Sequence, residues 1–254
     1  MKVGIIGLGR LGAALARGLD KTGRAEAICG CNRSAAKAEA LVREVPALRL
    51  CASPAEVLRE CEPVFLWTKP PDALQVLQSN EALIRERQSL LVSCIAGVPL
   101  ARFTPRWAES LPNVNLPARR GVTALHYAPT LGAADRRLVH DVLASVGSVY
   151  ELPAEEIPYY SALCSCGPAL YATLMEVFAD TLAARRGYDR DLCRRMVRET
   201  VLGTVLLQEL DGADAAEVVR RVAHPGGSSE AGVTHLRATL PSLYEQMLQK
   251  MHKW

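Results

Sequence analysis

Three glycines near the start of the chain, Gly7, Gly9 and Gly12, have the G-x-G-x-x-G spacing of a phosphate-binding turn. They follow a short apolar strand at residues 3–6 and precede a helical pattern at residues 13–19. In such a turn the first glycine lets the chain reverse, the second lets the backbone approach a pyrophosphate, and the third lets the helix pack on the strand. The order strand, turn, helix therefore predicts a dinucleotide site at the helix N-terminus. The predicted loop comprises Gly7, Leu8, Gly9, Arg10, Leu11 and Gly12.

The end of the second predicted strand, residues 25–31, indicates which nucleotide binds. An NAD enzyme usually places an Asp or Glu there to hold the 2′-hydroxyl of the adenosine ribose, whereas this chain has Asn32, Arg33 and Ser34. A guanidinium and a hydroxyl suit a 2′-phosphate, so NADP(H) is favoured over NAD(H). Asn32 and Ser34 would also serve as caps of a helix that begins near Ala35. The two roles are compatible, and Arg33 decides for NADP(H).

Composition limits the classes of protein to consider. The 254 residues, of which 49% are hydrophobic and 22% charged, are enough for one large or two modest globular domains. The net charge is only +3 and the arginines occur in scattered doublets, which predicts solvated helix faces and no nucleic-acid partner. No apolar run reaches the ~20 residues of a membrane span, and no charged-then-apolar leader opens the sequence. We expect a cytoplasmic protein with no membrane partner.

The eight cysteines contain no C-x-x-C pair and lie mainly in apolar segments. They are predicted to be reduced core residues, with neither a disulfide nor a metal role.

The first half of the chain alternates between strand and helix patterns. Further strands are predicted at residues 48–51, 63–67 and 89–95, then near Val114, at 122–126 and at 148–151; helices are predicted from Ser53, at 72–84 and at 135–144. Alternation of this kind predicts an α/β fold, a Rossmann-type doubly wound sheet whose carboxyl edge binds ligands. The predicted N-terminal domain is 1–152, followed by a linker at 152–158 that contains two prolines and two acids.

Residues 153–254 have only helical periodicity. Apolar stripes recur in four segments, at Leu170, Leu174, Phe178 and Leu182; at Leu192, Met196 and 201–207; at Val218, Val219 and Val222; and at Leu236, Leu240, Leu243 and Met247. Pro241 is expected to kink or restart the last helix. About a hundred residues of helix cannot easily bury all these faces within one chain, so a partner subunit is expected.

Five segments together resemble the pyrroline-5-carboxylate reductase family. They are GLGRLG, WTKP, SCIAGV, ALCSCGPALYATLME and HPGGSSEAG, in this order along nearly the whole chain. Two of them depart from the family pattern, because Ser165-Cys166-Gly167-Pro168 stands for G-S-G-P and Pro225 to Ser229 reads PGGSS instead of PGGTT.

The resemblance implies an N-terminal NADP-binding domain, a C-terminal all-α dimerisation domain, and a homodimer or higher homo-oligomer. The implied reaction is NADPH-dependent reduction of the C=N bond of a cyclic imine acid, 1-pyrroline-5-carboxylate to proline. Residues after the fourth and fifth strands should then line the nicotinamide and its ribose, namely Thr68, Lys69, Pro70, Ala96 and Gly97. Lys69 is equally explained as a surface lysine, since most lysines are exposed.

Reduction of an imine acid requires an anchor for the carboxylate and a donor for the imine nitrogen, and it requires no metal. Successive N–H groups from Gly226 to Ser229, at the start of the last helix, could form the anion site; a plain helix cap is the alternative. By resemblance, Ser229 stands where a threonine hydroxyl faces the imine nitrogen, so it is the candidate catalytic residue. The predicted substrate-binding residues are Pro225, Gly226, Gly227, Ser228, Ser229 and Ser165.

Three other functions fit a Rossmann half followed by a helical half. Dehydrogenases of the β-hydroxyacid or 6-phosphogluconate type use a lysine in the helical domain as acid/base. Residues 151–249 contain no lysine, which nearly excludes this function. Reduction of a different cyclic imine acid and a catalytically silent NADP-binding paralogue both stay open, because the departures from the family lie on the substrate side.

Overall fold

The computed structural model describes residues 2–95 and 97–251. The chain forms two compact units, one up to Pro168 and one from Ala169 onward. The domain boundary after residue 152 stays a prediction.

The first unit is built on one eight-stranded sheet in the order β3-β2-β1-β4-β5-β6-β7-β8. Strands β1 to β6 are parallel, β7 is antiparallel to β6, and β8 is parallel to β7. This mixed sheet confirms the α/β, Rossmann-type fold class. The strands are β1 (Lys2–Ile6), β2 (Ala27–Cys31), β3 (Leu48–Leu50), β4 (Val64–Leu66), β5 (Leu91–Ser93), β6 (Trp107–Pro112), β7 (Gly121–Tyr127) and β8 (Gly147–Glu151).

Helices cover both faces of the sheet. The helices of this part are α1 (Arg10–Asp20), α2 (Ala35–Glu44), α3 (Pro54–Glu60), α4 (Pro70–Ser79), α5 (Glu81–Arg87), α6 (Ala133–Ala144) and α7 (Ile157–Tyr160). Buried residues of α1, α2 and α6 pack with Phe65 and Val92 on one face, and those of α3, α4 and α5 pack with Leu66 and Leu91 on the other. Alternate residues of a strand point to opposite faces, so each central strand contributes to both cores.

Two side chains bind backbone N–H groups at the start of α3, the helix that the sequence predicts from Ser53. The Ser53 hydroxyl accepts a hydrogen bond from the Glu56 N–H at 3.3 Å, and the Glu56 carboxylate accepts one from the Ala52 N–H at 2.8 Å.

Two element predictions are wrong. The single helix predicted at 72–84 is two helices, α4 and α5, which meet at Asn80; the Asn80 backbone leaves the helical region (φ −122°), while its side chain donates to the Val76 carbonyl at 2.7 Å. The strand predicted near Val114 is instead β6, and Val114 lies beyond it with half its surface exposed. Pro105, two residues before β6, and Pro112, its last residue, are typical of loops and conceal the strand in the sequence.

The second unit is helical. It contains most of α8 (Gly167–Arg186), then α9 (Arg190–Asp211), α10 (Ala215–Val222) and α11 (Ser228–Lys250). Asp180 on α8 accepts two hydrogen bonds from the Arg194 guanidinium on α9, both at 2.8 Å, and this pairing keeps the pKa of Asp180 low.

α11 continues through Pro241 and does not restart there. Many large apolar side chains of these helices are exposed, among them Phe178, Met196, Leu202, Leu210, Leu236 and Leu243.

Among residues 2–95 and 97–251, every helix is too short or too polar to cross a lipid bilayer.

Candidate functional site

The turn between β1 and α1 requires glycine at two positions. Gly7 has a φ of +104°, and a Cβ there would lie 2.6 Å from the Trp67 carbonyl oxygen. A Cβ on Gly12 would lie only 2.0 Å from the Gly7 carbonyl oxygen. Both contacts are with backbone atoms, which cannot move aside as a side chain could. These two glycines therefore allow α1 to pack directly against the end of β1.

Gly9 differs from its two neighbours, because a Cβ there would meet no heavy atom within 4 Å. Gly9 is the N-cap of α1, no side chain caps this helix end, and the first turn contains no acid. The space above Gly9 and the uncapped N–H groups of the first turn fit a pyrophosphate. Of the three glycines of this turn, Gly9 is the one that packing against the described residues does not require.

Asn32 connects this loop to the end of β2. Its side-chain oxygen accepts a hydrogen bond from the Leu8 N–H at 3.2 Å, and its amide nitrogen donates to the Ser34 carbonyl at 3.1 Å. Ser34 occupies the N-cap of α2, but its exposed hydroxyl makes no capping hydrogen bond. Asn32 therefore orients the loop, and Ser34 keeps a hydroxyl at the surface. Their roles in cofactor binding stay predictions.

Arg33 extends into solvent beside these two residues, with 84% of its side chain exposed. Its Nη1 atom lies 2.9 Å from Oδ1 of Asp72, in the first turn of α4. Sequence reasoning missed Asp72, because the two positions are 39 residues apart in the sequence. The one available signal was that Asp72 follows the fourth strand at the carboxyl edge of the sheet.

The residues predicted to line the nicotinamide also lie at this edge. Thr68 and Lys69 follow β4, Lys69 is the exposed N-cap of α4, and Pro70 opens that helix. Gly97 is exposed beyond β5 with a φ of +77°. Ala96 lies outside the described residues. The sheet thus brings the loops after β1, β2 and β4 to a common edge, with Gly97 beyond β5.

Two cysteines flank these loops and carry no charge at neutral pH. Burial raises the pKa of Cys31, at the end of β2, and of Cys94, just after β5, to about 12 each. Among the described residues, no cluster of three His, Cys, Asp or Glu side chains is arranged to hold a metal ion.

The predicted substrate loop lies in the second unit, just before α11. Gly226 has a φ of +76°, and Gly227 is the N-cap of α11. The Gly227 N–H donates to the His224 carbonyl at 2.9 Å, and the Gly226 N–H donates to the Glu230 carboxylate at 2.7 Å. Two of the four N–H groups predicted for the anion site therefore already have acceptors within the chain. Sequence reasoning missed Glu230, although a Glu in the first turn of a helix is a capping signal.

The hydroxyl groups of this prediction are at the surface. Ser228 and Ser229 are exposed in the first turn of α11, where no side chain caps the helix. Ser165 is exposed ahead of α8 in the first unit. Pro225 is exposed at the start of the loop. The roles of all these residues in substrate binding stay predictions.

Comparison with known proteins gives two family matches. Residues 2–97 match the model described as NADP oxidoreductase, coenzyme F420-dependent, and residues 154–253 match the model described as pyrroline-5-carboxylate reductase dimerisation. Over nearly its whole length the chain is similar to members of the pyrroline-5-carboxylate reductase family. The second match also indicates homo-oligomerisation.

Individual members of the pyrroline-5-carboxylate reductase family match nearly end to end. The enzyme of Treponema pallidum is 28% identical, over 93% of this chain and 92% of the relative. The solved structure of the Coxiella burnetii enzyme has a TM-score of 0.86 at 22% identity and covers 98% of this chain and 94% of its own. A Plasmodium falciparum pyrroline carboxylate reductase, solved with NADP bound, has a TM-score of 0.79 at 21% identity and covers 98% and 93%.

Proposed function

We propose that this chain reduces the C=N bond of a cyclic imine acid with NADPH, and that it converts 1-pyrroline-5-carboxylate to proline. The observation that carries this proposal is the glycine turn with open space at Gly9, in a chain whose residues 154–253 match the pyrroline-5-carboxylate reductase dimerisation domain. The names of the relatives support the substrate, and the Plasmodium falciparum structure supports the cofactor. A cytoplasmic location stays a prediction.

When bound, NADPH would supply the hydride that reduces the electrophilic imine carbon. In this proposal the loop from Gly7 to Gly12 binds the pyrophosphate through its N–H groups. Arg33 and the free hydroxyl of Ser34 bind the 2′-phosphate. Lys69 and Gly97 lie beside the nicotinamide end. Each of these residues binds or orients, and none needs to change its own protonation state.

On the substrate side, the Ser229 hydroxyl donates a hydrogen bond to the imine nitrogen, which orients the C=N bond and makes its carbon more electrophilic. The N–H groups at the start of α11 bind the carboxylate of the substrate. Because Glu230 already accepts from the Gly226 N–H, the N–H groups that remain for a substrate are those nearest Ser228 and Ser229. Because two of the four N–H groups already have acceptors, the site offers fewer donors to the carboxylate, and a different cyclic imine acid is the second candidate.

The deciding experiment is NADPH oxidation by the purified chain at 340 nm. Five- and six-membered cyclic imine carboxylates are compared with the same rings lacking the carboxylate. The proposal requires turnover of the five-membered carboxylate with the highest kcat/KM. A higher value for the six-membered ring would reassign the substrate, and no turnover of any imine by a chain that binds NADPH would indicate a silent paralogue.

Substitution of Arg33 tests the cofactor assignment. Arg33→Ala should weaken NADPH binding by about 1.5 to 3 kcal/mol, because it removes a charge-assisted contact with the 2′-phosphate, and should leave NADH binding nearly unchanged. The measurement is titration of both cofactors against wild type and variant. A wild-type chain that binds NADH as tightly as NADPH would contradict the assignment.

The helical unit is proposed to form a homodimer. Its exposed apolar side chains include Phe178, which is 64% exposed on α8. Phe178→Glu should shift the assembly towards monomer, because a charge would then be buried in the interface. Light scattering at micromolar concentration measures the mass, and Val114→Glu, at an exposed apolar position of the first unit, is the control. A wild-type monomer would contradict the prediction.

A further inference from the structure

The ion pair between Arg33 and Asp72 has a particular place in the sheet. Strand β1 lies between β2 and β4 in the strand order. Arg33 follows β2, and Asp72 belongs to the helix that follows β4. The 2.9 Å contact therefore joins the loops on either side of β1, at the edge where the β1–α1 turn presents its N–H groups.

The two partners of this pair differ in burial. Asp72 lies in the first turn of α4, directly after two prolines, and its side chain is 32% exposed. The Arg33 side chain is 84% exposed and makes its one described ion pair with Asp72. The less exposed carboxylate therefore holds the exposed guanidinium beside the start of α4.

A carboxylate and a phosphate compete for the same guanidinium. Both accept hydrogen bonds from the fork of N–H groups that arginine presents, and both are negatively charged. An anion that approaches Arg33 must therefore displace Asp72 or share the guanidinium with it. In the second case the two negative charges lie on opposite sides of one side chain and repel each other.

We propose that Asp72 determines cofactor preference, because its carboxylate binds Arg33 in competition with the 2′-phosphate and so lowers the selectivity for NADPH over NADH. The inference rests on the proposed function, and it adds a residue that the glycine motif and the residues after β2 do not reveal. It predicts that removal of an acidic side chain improves the binding of an anionic ligand.

The size of the effect follows from the exposure of the pair. An exposed ion pair contributes little free energy. Loss of the competing carboxylate should therefore change the affinity of Arg33 for the 2′-phosphate by about two- to fivefold at low salt. Salt at 0.5 M should reduce the change, because the charges are solvent-accessible and the screening length becomes short.

The test measures binding without turnover. Adenosine 2′,5′-bisphosphate and adenosine 5′-monophosphate, which differ only in the 2′-phosphate, are titrated by calorimetry into wild type, Asp72→Asn, Arg33→Ala and the double variant. Asp72→Asn should bind the bisphosphate about two- to fivefold more tightly and the monophosphate unchanged. In the Arg33→Ala background the same substitution should have a clearly smaller effect, because the competition for the guanidinium is gone. Glu81→Gln, which removes an equivalent charge paired with Arg85 on α5, is the control and should match wild type.

The outcomes separate this inference from the proposed function. Unchanged or weaker binding of the bisphosphate by Asp72→Asn would overturn the role of Asp72, and so would an equal gain in the Arg33→Ala background. In either case NADPH-dependent imine reduction by the wild type would leave the proposed function standing. Failure of wild type to bind the bisphosphate or NADPH would overturn both.

Discussion

Replacement of Ser229 by alanine is expected to lower turnover of the imine acid by about 10- to 10⁴-fold, the range found for a positioned acid or hydrogen-bond donor. The proposed reaction adds a proton to the imine nitrogen as hydride adds to the imine carbon, and residues 151–249 contain no lysine to assist this step. NADPH affinity should hardly change, because the predicted cofactor contacts all lie in the first unit. Steady-state kinetics beside cofactor titration measures both effects.

The structure supplies controls that separate chemistry from folding. Ser229 is exposed, and no side chain caps α11, so loss of its hydroxyl should not change the melting temperature. Ser229→Thr keeps the hydroxyl and should keep activity, while Ser228→Ala removes the neighbouring hydroxyl and should have a much smaller effect. Near-wild-type turnover by Ser229→Ala would move the donor to Ser165, a bound water or solvent.

Local patterns predicted most of the first unit. The glycine turn, the capping of α3 and the strands β1 to β5 depend on residues close together in sequence. The apolar periodicity did not predict where α4 ends. It continues through Asn80, whose side chain binds the Val76 carbonyl at the end of the helix. The pattern also failed at β6, where Pro105 just before the strand and Pro112 at its end are typical of loops. Pairing with β5 and β7 stabilises this strand despite them.

In the candidate site, too, local patterns were predicted from the sequence and long-range contacts were not. The sequence predicted the loop from Gly7 to Gly12 and the polar residues after β2, since strand order alone brings these to one edge. It did not reveal that Asp72 binds Arg33, or that Glu230 binds the Gly226 N–H. Each of these carboxylates reaches a group to which the sequence assigned an anionic ligand. Whether a predicted anion site is free depends on such contacts, which residue types alone do not specify.

A pair of glycine substitutions should separate cofactor binding from folding. Gly9 has φ −77° and ψ −158°, which alanine adopts readily, and its Cβ would meet no atom of the described chain. Gly9→Ala should therefore fold, with a stability loss of under about 1 kcal/mol from a poorer N-cap. Its methyl group would occupy the space proposed for the pyrophosphate, so the Kd for NADPH should rise at least about tenfold.

Gly12→Ala should behave in the opposite way. Its Cβ would lie 2.0 Å from the Gly7 carbonyl oxygen, so α1 must move away from β1. This overpacking should destabilise the chain by about 1 to 3 kcal/mol or more. Thermal melts and calorimetric NADPH titration, carried out on both variants, measure the two effects. If Gly9→Ala bound NADPH as tightly as wild type, the space above Gly9 would not be the pyrophosphate site. If Gly12→Ala melted at the wild-type temperature, the close contact of α1 with the turn would not be needed for stability.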